Sequence, residues 1–325
     1  MNSFEPTPPL SGHLKTAIGN DLLSRLGSLG ITLMPTTNRV TAEDIHRHSP
    51  VLGTKLVCDC YVEAIERGQE HPYGYEKDGI VNIDHHAPTP PMMRPISSGN
   101  LAARYVEQRG PAARETPVLI NHADCDSVVS SLLIRGHLPV EPTFERAVLA
   151  ADHFGAEDPI ADLLQSLDIR KDLEFSVRNL ALLLRGDSLE EEACALLGIR
   201  QEERFRAQQV VASGAFENHG RLVVVQTDAR ISGEFFPPLF PDAALILGVS
   251  HHRNSRPDAP VWEMKLRRGL SAPPGFTLFD LQLNSIDPGF GGRWNAGSNG
   301  RAGGVLMEPR SYIEQVAAAL ERVCR

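Results

Sequence analysis

Residues 79–86, Gly79-Ile80-Val81-Asn82-Ile83-Asp84-His85-His86, join a short apolar run to an acid and two imidazoles. An apolar run of this length, bounded by glycine and by charge, reads as a buried strand. The same pattern recurs on either side. Lys55-Leu56-Val57-Cys58 reads as a strand ending at Asp59, and Pro117-Val118-Leu119-Ile120-Asn121 as a strand ending at His122. Further on, the apolar run Ala147–Ala151 leads into Asp152-His153. Between these runs, Ser98 can cap a helix over Gly99–Gln108, and Ser127–Arg135 reads as another. Strands alternating with helices predict an α/β fold, a mainly parallel sheet flanked by helices. Ligands of such sheets bind outside the carboxyl ends of the strands. The four runs are therefore expected to bring their acids and histidines to one rim.

Working outward, residues 1–50 are rich in Pro and Thr and then weakly helical, with Asp21–Leu26 amphipathic and Thr41–Asp44 able to open a helix. Residues 160–213 read as mostly helical. A second strand-rich region follows, with runs at Arg221–Val225, Ala243–Leu247 and Val261–Leu266. Ser311 with Glu314 reads as a capping box before a last helix, Tyr312–Val323. The expected organisation is a catalytic domain over 1–210 and a smaller α/β domain over 215–325.

At 325 residues the chain is long enough for two such domains. Hydrophobic residues at 42% and charged residues at 22% exclude wholesale disorder. There is no apolar run long enough to span a bilayer, and the N-terminal stretch lacks a secretory pattern. Five scattered cysteines without a CxxC pair read as free thiols. Together these predict a cytoplasmic protein without a membrane partner. A net charge of −9 disfavours duplex nucleic acid but allows a small anionic substrate held by a metal. Nothing in the sequence forms a coiled coil or a defined interface, so the oligomeric state is open.

Carboxylates and imidazoles gathered at one rim suit divalent metals. The candidate ligands are Asp59, Asp84, His85, His122, Asp124, Asp126, Asp152 and His153. In His122-x-Asp124-x-Asp126 the alternation would point all three side chains one way if the segment were extended. Asp126 can instead cap the helix near Ser127, and His153 can be a packed core histidine. One or two ions would lower the pKa of a bound water and offset charge on a phosphoryl oxygen. Mixed Asp/His ligands suit Mn²⁺, Fe²⁺, Zn²⁺ or Co²⁺ alike.

Val81-Asn82-Ile83-Asp84-His85-His86 resembles the signature of the DHH phosphoesterases, the superfamily of RecJ-type exonucleases, nanoRNases, manganese-dependent pyrophosphatases and exopolyphosphatases. Ile96–Tyr105 is similar to the Ser/Thr-containing helix start that follows the triplet in that family. Val57-Cys58-Asp59 is similar to its strand-borne single Asp, and His122–Ser127 to its His/Asp-x-Asp motif. The resemblance implies that Asp59 bridges two metals, that His85 is a ligand, that His86 contacts the scissile phosphate and that Mn²⁺ is the favoured ion. Asp84 and His86 are then the catalytic candidates. The Asp-x-Asp motif precedes the triplet in the family and follows it here, so either the chain is rearranged, or His122–Asp126 replaces a later motif and the usual first one is missing.

Residues 289–304 carry seven glycines in sixteen positions and resemble the Gly-rich loop of the family's accessory domain, without its histidine. Glycines let backbone amides approach an anion, and arginine pairs with phosphate or carboxylate. Gly291, Gly292, Arg293, Asn299 and Arg301 are the candidate substrate contacts, along with His86. A flexible or β-rich corner is the other reading of this stretch. The leading expectation is a phosphoesterase acting on a small phosphoester or short oligonucleotide through a metal-bound hydroxide. A C–N hydrolase on the same fold, or a non-catalytic metal-stabilised binding module, are the alternatives.

Overall fold

The computed structural model describes residues 10–35, 40–226 and 231–324. The N-terminal residues 1–9, part of the stretch that lacks a secretory pattern, lie outside them. The chain is an α/β protein with two six-stranded mixed sheets, and it divides into two compact units. The first unit comprises residues up to Asp152 and Glu157–Arg200, and the second His153–Ala156 and Gln201 onward.

In the first unit the strands are β1 (Ile31–Leu33), β2 (Lys55–Cys58), β3 (Gln69–His71), β4 (Gly74–Lys77), β5 (Ile80–Ile83) and β6 (Val118–Ile120). Their order is β1-β6-β2-β5-β4-β3. The first four in that order are parallel, and β4 and β3 continue antiparallel. Every residue of β2, β5 and β6 is buried, so their continuous apolar runs reflect a sheet covered on both faces.

The covering helices are α1 (Gly12–Arg25), α2 (Ala42–His48), α3 (Ser98–Arg109), α4 (Cys125–Ile134), α5 (Pro142–Leu149), α6 (Pro159–Leu167) and α7 (Leu173–Arg185). α2 starts as expected, with Thr41 and Asp44 forming a capping box. α1 packs on α7 closely enough that a Cβ on Gly19 would lie 2.7 Å from the Ala181 carbonyl oxygen. α3 packs on α4. α8 (Glu191–Ala212) carries the chain out of the first unit.

In the second unit β7 (Phe216–His219), β8 (Leu222–Gln226), β9 (Leu245–His251), β10 (Trp262–Arg268), β11 (Gly291–Gly292) and β12 (Ala296–Ser298) form a sheet of order β11-β12-β10-β9-β8-β7. Only the β8–β9 pair is parallel. α9 (Pro309–Val323) buries Tyr312, Ile313, Val316, Ala319 and Leu320 in this unit's core. α9 begins earlier than expected. Pro309 occupies its first turn, where a missing N–H costs nothing, and no Ser311 capping box forms.

No helix among the described residues is long and apolar enough to cross a membrane. All five cysteines are free thiols, with Cys58, Cys60 and Cys125 buried.

Candidate metal centre

Because β2, β5 and β6 are parallel neighbours, their carboxyl ends share one edge of the sheet. Asp59 follows β2, Asp84-His85-His86 follows β5, and Asn121-His122 follows β6. The fourth expected strand end is helical instead. Ala147–Leu149 closes α5, and Ala150–Phe154 is a π-helical turn carrying Asp152 and His153. Phe144, Ala147 and Val148, all buried, are spaced three and four apart, the period of a helix face. π-turns of this kind occur often at functional sites.

Asp59 stands at the centre. It is 1% exposed, and its φ of 50° places it in the left-handed region, which a non-glycine residue enters at a cost of ~1 kcal/mol. Asn82, inside β5, fixes the turn that follows it. Its side-chain amide donates to the carbonyls of Val57 and Cys60, and its oxygen accepts from the Val62 amide. Ser98 Oγ donates to Asp59 Oδ1 at 3.0 Å and Ser127 Oγ to Oδ2 at 2.8 Å.

Around this carboxylate lie the imidazoles. His122 Nε2 is 3.0 Å from Asp59 Oδ2 and 3.4 Å from Asp124 Oδ2. Its Nδ1 faces the Asn121 side-chain oxygen, which only accepts, so Nδ1 donates there and Nε2 is the nitrogen turned to the carboxylates. His86 Nδ1 is 2.7 Å from Asp84 Oδ1 and 3.7 Å from Asp59 Oδ1. His85 lies between Asp126, 3.4 Å from its Nδ1, and Asp152, 2.9 Å from its Nε2. The His85 and His86 ring centroids are 4.2 Å apart.

The ligand atoms of Asp59, His122 and Asp124 lie within 4.8 Å of one another, as do those of Asp59, His85 and His86. Asp84 and Asp126 are not in a group of this kind among the described residues. Asp84 turns one oxygen to the His86 ring and accepts the His86 amide with the other. Asp126 accepts the amides of Ser98 and Gly99, each at 2.7 Å, at the start of α3. The expected extended alternation of His122, Asp124 and Asp126 does not form. Asp124 caps α4 by accepting from the Ser127 amide, so Asp126 already lies in the helix. The cap of α3 is Ser97, one residue before the expected Ser98.

Electrostatics make this a place that calls for positive charge. Burial pushes the Asp59 carboxyl up, but His122, His86 and His85 outweigh it and hold it well below the usual carboxylate range. Burial pulls His122 down, but Asp124 and Asp59 overcome that and push it up to about 12. Burial, then Asp59, Asp152 and Asp124, raise Asp126 well above its ordinary value. Carboxylates crowded in a buried space need protons, imidazolium or a cation among them. Oxygen and nitrogen donors in this mixture fit a divalent ion of the Mn²⁺, Fe²⁺, Co²⁺ or Zn²⁺ type.

His153 belongs to the second unit and is 7% exposed, its Nδ1 3.0 Å from Asn295 Nδ2. The Gly-rich stretch there forms the β11–β12 hairpin and a 3-10 turn, Gly300–Ala302. Gly291, Gly292 and Arg293 line a cavity of about 380 Å³ with Phe279 and Phe290. Arg301 is exposed. Asn299 is fully buried, accepting the Met264 amide and donating to Asp287.

Sequence reading missed Asn82, Asn121 and the two serines that hold Asp59. The polar Asn82 within an apolar strand and the Ser/Thr-containing helix start that holds Ser98 were the visible signals.

No family model matches the sequence, and no curated protein matches it. Among solved structures the chain is similar to a pGpG-specific phosphodiesterase, PggH from Vibrio cholerae. The similarity is at 12% identity and a TM-score of 0.40, covering 65% of this chain and 82% of that one. A TM-score this low does not carry function from one protein to the other.

Proposed function

We propose that this chain is a metal-dependent hydrolase whose substrate is a small phosphoester or a short oligonucleotide. The observation that carries the proposal is the double use of Asp59, which contributes to two separate groups of candidate ligands. The resemblance of Ile83–His86 and its flanks to the DHH phosphoesterases supports a phosphorus centre as the target.

In this reading Asp59, His122 and Asp124 would hold one divalent ion, and Asp59 with His85 would contribute to a second, with Asp152, 2.9 Å from His85 Nε2, a further candidate ligand. When bound, such ions supply Lewis-acid charge and an acidified water. The chain's own residues then do the rest. Asn121 keeps His122 Nε2 turned to the ligand side. Asp84 holds the His86 ring at Nδ1 and so sets its direction, and the resemblance implies that His86 contacts the scissile phosphate. His86 is half-buried, as a residue meeting substrate has to be. Within the second unit, Arg293 and Arg301, with the glycine amides at 291 and 292, are candidate contacts to an anion. Aromatic residues make up 6% of the chain, a sparse supply of stacking platforms that favours a small ligand over a long strand. Mn²⁺ is the favoured ion.

The test is metal content by elemental mass spectrometry on protein purified without chelator or nickel, comparing wild type with Asp59→Asn. Asparagine keeps the shape and tolerates the left-handed backbone. The expected result is about two ions per chain, falling to one or none in the variant, with activity in a phosphoester screen lost alongside. One ion in wild type, without activity on any phosphoester, would move the search to C–N bonds. No bound ion in folded wild type supplied with excess Mn²⁺ would overturn the reading.

A further inference from the structure

Asp59 is buried, and its carboxylate is oriented by two hydroxyls that arrive from different helices. Ser98 stands in the first turn of α3 and Ser127 in the first turn of α4, and both are fully buried. Neither hydroxyl caps its own helix. Ser97 caps α3, accepting the Asn100 amide, and Asp124 caps α4. Other serines of α4 behave differently. Ser130 and Ser131 turn their hydroxyls back to the carbonyls of Ser127 and Val128. Ser98 and Ser127 instead reach across 39 and 68 residues of sequence to the same carboxylate, one to each oxygen.

A carboxylate offers about four lone-pair sites. With one site on each oxygen engaged by a hydroxyl, rotation about the Cβ–Cγ bond is blocked, and one site per oxygen remains for other partners. Ser98 has a second tie, because its amide donates to Asp126 Oδ2 while Gly99 donates to Oδ1. The start of α3 thus orients two carboxylates at once.

We infer that Ser98 and Ser127 are positioning residues that set the orientation of the Asp59 carboxylate for metal binding. The inference rests on the metal reading above. It is tested by Mn²⁺ titration, followed by calorimetry and by electron paramagnetic resonance of free Mn²⁺, on wild type, Ser98→Ala, Ser127→Ala, Ser127→Thr and the control Ser130→Ala. The expected result is a loss of roughly 10- to 100-fold in Mn²⁺ affinity for either Ser98→Ala or Ser127→Ala, the range usual for outer partners of metal ligands. Ser127→Thr, which keeps the hydroxyl, recovers most of the affinity. Ser130→Ala, which removes a hydroxyl of the same helix that points elsewhere, leaves it unchanged. If an alanine variant fails to fold, the cysteine variant at that position keeps the shape with a much weaker donor and is expected to show the same loss. Alanine variants that bind Mn²⁺ as wild type does would overturn this inference alone. Wild type that binds no Mn²⁺ would overturn the metal reading and the inference with it.

Discussion

Asp84 begins the motif that made the sequence legible, yet both of its oxygens face His86: Oδ1 the ring at 2.7 Å and Oδ2 the main-chain amide at 2.9 Å. A carboxylate used in this way fixes an imidazole's tautomer and direction. The residue-scale expectation follows from that geometry. Asp84→Asn leaves one acceptor oxygen where two were used, so His86 loses either its ring or its amide partner. Turnover on the best phosphoester is expected to fall by roughly 10- to 100-fold, with metal content by elemental analysis unchanged. Metal lost in step with turnover would instead place Asp84 among the ligands. Asp59 differs in kind. Its left-handed backbone, the turn held by Asn82 and the two serine hydroxyls all determine one carboxylate's position. Backbone strain maintained by so many supports belongs to sites where geometry matters.

Among the elements, those readable in sequence were the ones whose signal is local. β2, β5 and β6 are short, fully buried apolar runs ending in polar residues, and a covered parallel sheet writes that pattern directly into the sequence. Ala147–Ala151 shows the limit, since four or five apolar residues fit a buried strand and a helix end equally well. Pro142 and the helical spacing of Phe144, Ala147 and Val148 decide it, but only once read from further upstream. The serines that hold Asp59 fall within stretches that the resemblance marked, but their contact to Asp59 was not legible, because that partner lies dozens of residues away in the chain.

The end of α4 offers a test at this scale. There His137 Nε2 is 3.0 Å from the Leu29 carbonyl on the approach to β1. Burial, with Arg25 nearby, pulls the His137 pKa below its ordinary value against the Leu29 hydrogen bond, so the folded chain prefers the neutral ring. The unfolded chain binds the proton more readily, so this contribution to stability is present above about pH 6.5 and is lost as pH falls below it. Wild type is expected to lose more Tm than His137→Gln between pH 7 and pH 5. All other groups are common to the two proteins and cancel in the difference. Parallel Tm curves for the two would contradict the expectation.

At the scale of the whole molecule, the chain leaves the first unit for only four residues, His153–Ala156, before returning to it at Glu157. This short excursion is anchored within the second unit by the buried His153 side chain, which meets Asn295 and Trp294, and by contacts to the main chain of Gly155. Gly155 contributes no side chain to it. Its φ is 63°, and a Cβ there would lie 1.6 Å from the Glu234 carbonyl oxygen, while its own carbonyl accepts from Arg204 Nη1 at 2.8 Å. Gly155→Ala therefore combines a left-handed backbone penalty with a clash against main chain that cannot rotate away, on the order of 3–5 kcal/mol. Gly186 has a similar φ of 76°, and a Cβ at that position would meet nothing within 4 Å, so Gly186→Ala carries the backbone penalty alone, about 1 kcal/mol. The comparison isolates the steric cost. At roughly 2–4 °C per kcal/mol for units of this size, calorimetry separates the two variants readily. Asp152, a candidate ligand, immediately precedes the displaced segment in the π-turn. Gly155→Ala is accordingly expected to weaken Mn²⁺ binding about tenfold, measured below the unfolding transition, while Gly186→Ala leaves binding unchanged. Equal effects of the two substitutions on both Tm and Mn²⁺ affinity would mean that the four-residue excursion is not what seats Asp152, and that the π-turn holds it unaided.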